Sequence, residues 1–249
     1  ESSLLSRMNW WTVEYGLIGD INSPKIYGAG LLSSVGESEN CITKKVEKIP
    51  FSLKCLNFHY DITEQQPQLF VTPNYKTLSK ELVKLSDRLS YNIGGIHGIK
   101  TAIRAQTVCT VELDNVIQLS GIVSNYIKDK DINFIKLDGP TQICINNKEI
   151  KNHGPNYHKY GYSSPIGKIK QFGKPLNKLN IEELAILKIK KGLKTSLTFE
   201  GNIYVEGIIT KIFKYKNQMK ILTFESCTVR NNNDILFQPD WGYFDLICG

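Results

Sequence analysis

The chain has 249 residues, 41% of them hydrophobic and 22% charged, with a formal net charge of +7. That composition suits a globular protein of one large or two small domains, and no stretch approaches the ~18 uninterrupted apolar residues of a membrane helix. The charge does not point to nucleic acid: only four of the 31 basic residues are Arg, and the Lys are interspersed with Asp and Glu, whereas bidentate reading of phosphates and bases relies on Arg.

Residues 4–17 lack Gly and Pro until Gly16 and predict the end of a helix, with Gly16 and Gly19 as the stop. Gly28, Gly30 and Gly36 punctuate a loop that also carries Ser33 and Ser34. Residues 77–89 place Leu78, Leu82, Leu85 and Leu89 at helical spacing, which predicts a surface helix with one apolar face. From about residue 105 the texture changes to strands. Residues 108–127 alternate apolar and polar around a turn signal at Asp114 and Asn115.

An internal similarity follows. VELDNVIQLSGIVSNYI at 111–127 lies without gaps on LTFEGNIYVEGIITKIF at 197–213, with Gly121 on Gly207 and Ile122 on Ile208. After a one-residue shift, FIKLDGPT at 134–141 lies on ILTFESCT at 221–228. Strand patterns resemble one another by chance, but turn, Gly and following strand coincide here. The expectation is a duplicated hairpin-strand unit, 111–150 and 197–236, packed as a small barrel or sandwich. Between the copies, residues 153–167 are rich in Gly, Pro, Tyr and His and read as a long loop. Asn180 is expected to cap a short helix opening Ile181-Glu182-Glu183.

Chemistry is concentrated near the start. WWTVEYGL at 10–17 surrounds Glu14 with bulky apolar neighbours. A helical Glu is usually solvated; a buried one needs a partner, a proton or a metal. HGPNYH at 153–158 holds two His five positions apart. Gly154 and Pro155 break any helix there, so the pair reads as two ordinary loop His, with a chance metal site as the alternative. His59 and His97 are isolated and read as surface or packing residues. The six Cys form no C-x-x-C pair, which suits reduced thiols and a cytoplasmic protein.

WWTVEYGL, followed by KIYGAGLLSSVGE at 25–37 and TEQQP at 63–67, resembles the pterin-dependent aromatic amino acid hydroxylases, the bacterial phenylalanine 4-hydroxylases above all. The resemblance implies ring hydroxylation of L-phenylalanine with O2, tetrahydrobiopterin and a non-haem Fe(II) held by two His and one Glu. On it, Glu14 is the metal carboxylate. Trp10 and Tyr15 are aromatics of the amino-acid pocket, and Gly30, Ser33 and Ser34 form the loop that meets the substrate's charged groups. Glu37 matches a further position near that loop. In the family the two His precede the Glu, yet none of the thirteen residues before Glu14 is His and residue 1 is not Met. The chain is therefore expected to be the C-terminal part of a hydroxylase, inactive alone. The overall expectation is an α+β protein: residues 1–104 as a partial catalytic domain and 105–249 as a β-rich C-terminal domain. The rival reading is a non-catalytic β-domain protein for partner binding, assembly or small-molecule sensing.

Overall fold

Leu4, Met8 and Trp11 recur at helical spacing and turn one face of the opening helix inward, where Met8 and Trp11 are buried. The computed structural model describes residues 1–249, and these form two compact units, Glu1–Ile93 and Gly94–Gly249. In the first unit, α1 (Ser2–Asn9) runs directly into a π-helical turn at Trp10–Glu14. Its signature is the bond from Tyr15 N to Trp10 O, 2.9 Å.

Four strands follow: β1 (Leu17–Asp20), β2 (Ser23–Ile26), β3 (Glu47–Pro50) and β4 (Gln68–Thr72), in sheet order β2-β1-β4-β3. β1 and β2 form an antiparallel hairpin, and β4 runs parallel to both β1 and β3. Leu69, Phe70 and Val71 are buried in succession, as befits a central strand covered on both faces. The helices α2 (Ala29–Ser33), α3 (Val35–Cys41), α4 (Tyr75–Ser86) and α5 (Ser90–Ile93) complete the unit.

α4 corrects one expectation. Asn74 caps it by accepting from Thr77 N at 2.9 Å, and Leu85 is buried. Leu82, however, is 40% exposed, and Glu81 is buried instead. Its carboxylate accepts from Leu53 N at 3.1 Å and pairs with Lys84. A bonded carboxylate displaces a leucine from the inner face because the turn at Leu53 offers an otherwise unsatisfied N–H.

The second unit opens with α6 (Gly95–Ala105), whose Ile99 is buried in that unit's core. Then come β5 (Cys109–Glu112), β6 (Ile117–Lys128), β7 (Ile132–Ile145), β8 (Lys148–Glu149) and β9 (Gly161–Pro165). The hairpin of β5 and β6 turns about Asp114 and Asn115, as the sequence predicts. Next are β10 (Lys168–Ile169), β11 (Lys174–Pro175), α7 (Ile181–Ile186), β12 (Lys194–Phe199), β13 (Ile203–Tyr215), β14 (Gln218–Asn231), β15 (Asp234–Phe237) and β16 (Phe244–Ile247). α7 carries the expected cap in full: Asn180 accepts from Glu183 N while the Glu183 carboxylate accepts from Asn180 N.

The strands form two antiparallel sheets. One has the order β5-β6-β7-β8 with β9 also on β7; the other has β11-β10-β12-β13-β14-β15 with β16 also on β14. Residues 161–165, expected inside a long loop, are therefore a strand: their backbone completes the first sheet beside residues 134–138. Bulges in the β6–β7 pair fall at Ser120/Ile122, Val123/Asn125 and Ile127/Lys128. Those in the β13–β14 pair fall at Glu206/Ile208, Ile209/Lys211 and Phe213/Lys214. The sheets are tied by Tyr162 Oη donating to Asp245 O at 2.7 Å and Ile247 N donating to Ser164 Oγ at 3.0 Å. The protein is thus α+β, with a mixed four-stranded sheet in one unit and two antiparallel sheets in the other.

Candidate active site and a buried histidine pair

The backbone of residues 14–16 is clamped by the loop that follows β2. Tyr27 N and Gly28 N both donate to Gly16 O, at 3.2 and 3.0 Å. The approach is close enough to require glycine on both sides. A Cβ on Gly28 would lie 2.4 Å from Glu14 O, and one on Gly16 would lie 2.3 Å from Thr12 O. Thr12 Oγ1 bonds back to Met8 O at 2.6 Å, inside the segment where the helix widens. π-Helical turns of this kind occur often at functional sites.

This clamp sets Glu14. The residue is half-buried, and its carboxylate makes no hydrogen bond and no ion pair. Its Oε2 lies 3.3 Å from where a Cβ on Gly30 would stand, and Tyr15 Cε2 lies 3.0 Å from the same point. Glu14, Tyr15 and Gly30 therefore meet. Trp10 stacks on Tyr15 with ring centroids 4.5 Å apart, and on Tyr60 at 4.3 Å. The Trp10 Nε1 donor is buried without an acceptor. Ser33 Oγ donates to Gly30 O at 2.9 Å, and Ser34 Oγ accepts from Glu37 N at 3.4 Å at the start of α3. Ser33 keeps its lone pairs and Ser34 keeps its O–H donor. Burial raises the Tyr15 phenol above its usual range, helped by the carboxylates of Glu37 and Glu14. Burial also raises Glu37.

All six residues singled out from the sequence lie in this one unit. Trp10, Glu14, Tyr15 and Gly30 form a continuous group, and Ser33 extends it through Gly30. Ser34 begins the next helix. Tyr60 is the member sequence reading missed; it arrives from a distant loop, and nothing in its local sequence announces it. The TEQQP block lies near α3, with Gln65 Nε2 3.6 Å from where a Cβ on Gly36 would stand. The assembly offers a partnerless carboxylate, a three-ring aromatic stack and two hydroxyls with spare capacity.

The His pair at 153 and 158 is not a pair of ordinary loop residues. Both are buried, at 3% and 7% exposure, with His153 Nδ1 3.2 Å from His158 Nε2. Buried Asp245 lies beside them, its Oδ2 3.8 Å from His153 Nδ1. Burial lowers the His153 pKa and lowers that of His158 to about 4, which keeps both rings neutral near pH 7. Tyr162, from the same stretch, is buried, whereas Tyr160 is 86% exposed.

Residues 1–125 match the family model for biopterin-dependent aromatic amino acid hydroxylases. The match spans half of the chain and includes every residue of the Glu14 group.

The chain belongs to the biopterin-dependent aromatic amino acid hydroxylase family.

Among relatives of this chain is the phenylalanine-4-hydroxylase of Dictyostelium discoideum, 38% identical over 85 residues, which are 34% of this chain and 19% of that protein. The phenylalanine-4-hydroxylase of Vibrio cholerae is 40% identical over 93 residues, 35% of this chain and 30% of that one. An iron- and phenylalanine-bound crystal structure of phenylalanine hydroxylase from Chromobacterium violaceum matches 35% of this chain and 36% of its own, with 33% identity and a TM-score of 0.30. The chain thus spans less than a third of the length of these curated relatives. The family is one of pterin-dependent monooxygenases.

Proposed function

We propose that residues 1–93 supply the carboxylate side of a non-haem iron centre and part of the amino-acid pocket in a phenylalanine 4-monooxygenase. The observation that carries this reading is Glu14, a half-buried carboxylate with no protein partner, held against Gly30 beside the Trp10–Tyr15 stack. A carboxylate withdrawn from water favours a cation, and an oxygen donor suits Fe(II) beside two imidazoles. Within residues 1–249 Glu14 belongs to no group of three metal-ligating side chains. The two His are expected from the part of the relatives' length that this chain does not span.

Iron, when bound, supplies activation of O2 with electrons from tetrahydrobiopterin. Trp10, held between Tyr15 and Tyr60, offers its edge to the pocket, and the Tyr15 ring offers the face turned away from Trp10; together they keep water from the substrate ring. Gly30 lets the Glu14 carboxylate approach without a steric barrier. The lone pairs of Ser33 would accept from the ammonium of L-phenylalanine, and the free O–H of Ser34 would donate to its carboxylate.

The test uses the intact enzyme. Glu14→Gln is expected to lower both iron content and tyrosine formation, activity by ~100-fold or more. The 249-residue chain given Fe(II), tetrahydrobiopterin and O2 is expected to form no tyrosine. Tyrosine formation by that chain, or full activity of the Glu14→Gln enzyme, refutes the reading.

The β-rich unit is read as two copies of one supersecondary unit. Support comes from the gapless 111–127 and 197–213 alignment, under which all three bulge sites of one strand pair fall on those of the other. A cytosolic location accords with six free Cys.

A further inference from the structure

His153 and His158 lie outside the family-matched residues, on a segment fastened to β7 at both positions. Ile143 N donates to His153 O at 2.9 Å, and Thr141 N donates to His158 O at 3.1 Å. Thr141 and Ile143 are alternate residues of one strand, so a single strand edge fixes both backbones. The imidazoles are thereby brought nitrogen to nitrogen, 3.2 Å apart. Asp245 arrives from β16 on the other sheet, opposite Thr223 in the β14–β16 register.

Its carboxylate is oriented on the outer side. Thr223 Oγ1 donates to Asp245 Oδ1 at 2.6 Å, and Tyr157 lines the same depression as this carboxylate. That leaves Oδ2 turned toward His153 Nδ1 at 3.8 Å. The ligand atoms of all three residues lie within 4.8 Å of one another. Bonds of about 2.0–2.2 Å to one ion require donors roughly 3–3.5 Å apart. The imidazole pair already meets that spacing, and a small rotation of the carboxylate brings in the third donor. His153 and Asp245 side chains are only 4% and 2% exposed. The buried carboxylate accepts from the Thr223 hydroxyl through Oδ1, and its Oδ2 lies beside the two imidazoles as an oxygen donor open to a cation.

We propose that His153 Nδ1, His158 Nε2 and Asp245 Oδ2 bind one divalent transition-metal ion of the zinc or ferrous class in the second unit. Two imidazoles and one carboxylate make a donor set of intermediate softness, which suits Zn2+, Fe2+ or Co2+ and not Mg2+ or Ca2+. Without metal, one facing nitrogen carries the proton of the 3.2 Å contact. Binding takes the tautomer with that proton on the same ring's other nitrogen, which leaves both facing lone pairs for the ion. A depression of about 250 Å3 opens on His153, Tyr157, Thr223 and Asp245 and gives an entry path with room for further ligands. The exposed Lys211 also lines it; its long stem lets the ammonium turn to solvent. The site shares no residue with the Glu14 group and does not depend on the reading of that group.

The test begins with the unmodified 249-residue chain, stripped with a chelator and dialysed against ZnCl2 or CoCl2. One equivalent of metal per chain is expected, with visible Co2+ absorption bands and a rise in Tm of about 5 °C or more at saturation. His158→Gln and Asp245→Asn, each checked for folding by circular dichroism, are expected to bind at least ~10-fold more weakly. Glu14→Gln is expected to keep the full equivalent. No uptake by the unmodified chain overturns the proposal whatever the variants do. Undiminished uptake by a folded His158→Gln or Asp245→Asn chain overturns it as well.

Discussion

At the scale of single residues, the Glu14 group depends on what is missing as much as on what is present. Gly28 shows this most sharply. Its backbone is extended at φ −67°, so no left-handed conformation demands glycine there. The demand is steric: an added Cβ would stand 2.4 Å from Glu14 O and 2.5 Å from Gly16 N, both main-chain atoms with little freedom to retreat. Gly28→Ala is therefore expected to destabilise the chain by about 1–3 kcal/mol, as overpacking does. Denaturant titration of the variant against the parent chain measures the effect. Gly30 is a milder case, since its closest neighbour is the edge of the Tyr15 ring at 3.0 Å, which can shift. The sequence marked Glu14, Trp10 and Tyr15 because their neighbours and their motif were local. It gave no warning of Tyr60, which reaches Trp10 only after the chain has folded back.

At the scale of elements, caps and turns followed local rules and tertiary contacts amended them. The Asn180–Glu183 cap and the turn at Asp114 and Asn115 formed as expected because their partners lie within a few residues. The opening helix was legible as well, but its π-helical end was not. That widening accompanies the Thr12 bond to Met8 and the clamp of residues 27–28 on Gly16. In α4 the periodicity of Leu was overruled at one position. Glu81 turned inward because Leu53 N needed an acceptor, and Leu82 turned out. The Lys84 ammonium and the Leu53 N–H bond hold the Glu81 pKa below its ordinary 4.5. An acid with a depressed folded-state pKa contributes stability above its unfolded-state value and loses it as pH falls through the folded one. Stability of the first unit is therefore expected to drop as pH falls below about 4.5. In Glu81→Gln that part of the decline is expected to vanish, which urea titrations at pH 6 and at pH 3 will register.

At the scale of the whole molecule, the two units are built on different principles. The first places a parallel pair of strands on either side of β4 and covers them with helices. The second is almost entirely antiparallel, and its two sheets exchange residues: Phe134 packs in the core around Leu197 and Phe224, while Ile221 packs in the core around Ile135 and Leu137. These two positions are equivalent in the internal alignment. Each hairpin-strand set thus contributes an apolar residue to the core built around the other. α6 belongs to this body, with Ile99 buried and Ala102 and Ile103 packed alongside. Residues 94–249 are expected to fold cooperatively as a separate chain. A version starting at residue 106, without α6, is expected to melt several degrees lower. Thermal unfolding of the two, followed by far-ultraviolet circular dichroism, makes the comparison.

The sequence by itself determined what rests on neighbours along the chain: the Asn180 cap, the hairpin turn at Asp114 and Asn115 and the motif around Glu14. Those features are set by backbone conformation and side chains a few residues apart, which a linear text displays. Only the tertiary structure decided that His153 and His158 are buried and that Asp245 faces them. Gly154 and Pro155 correctly excluded a helix, yet two backbone bonds to β7 and a strand from the second sheet built a site there without one. Contacts of that kind are fixed by sheet packing across distant segments, and no local spacing encodes them.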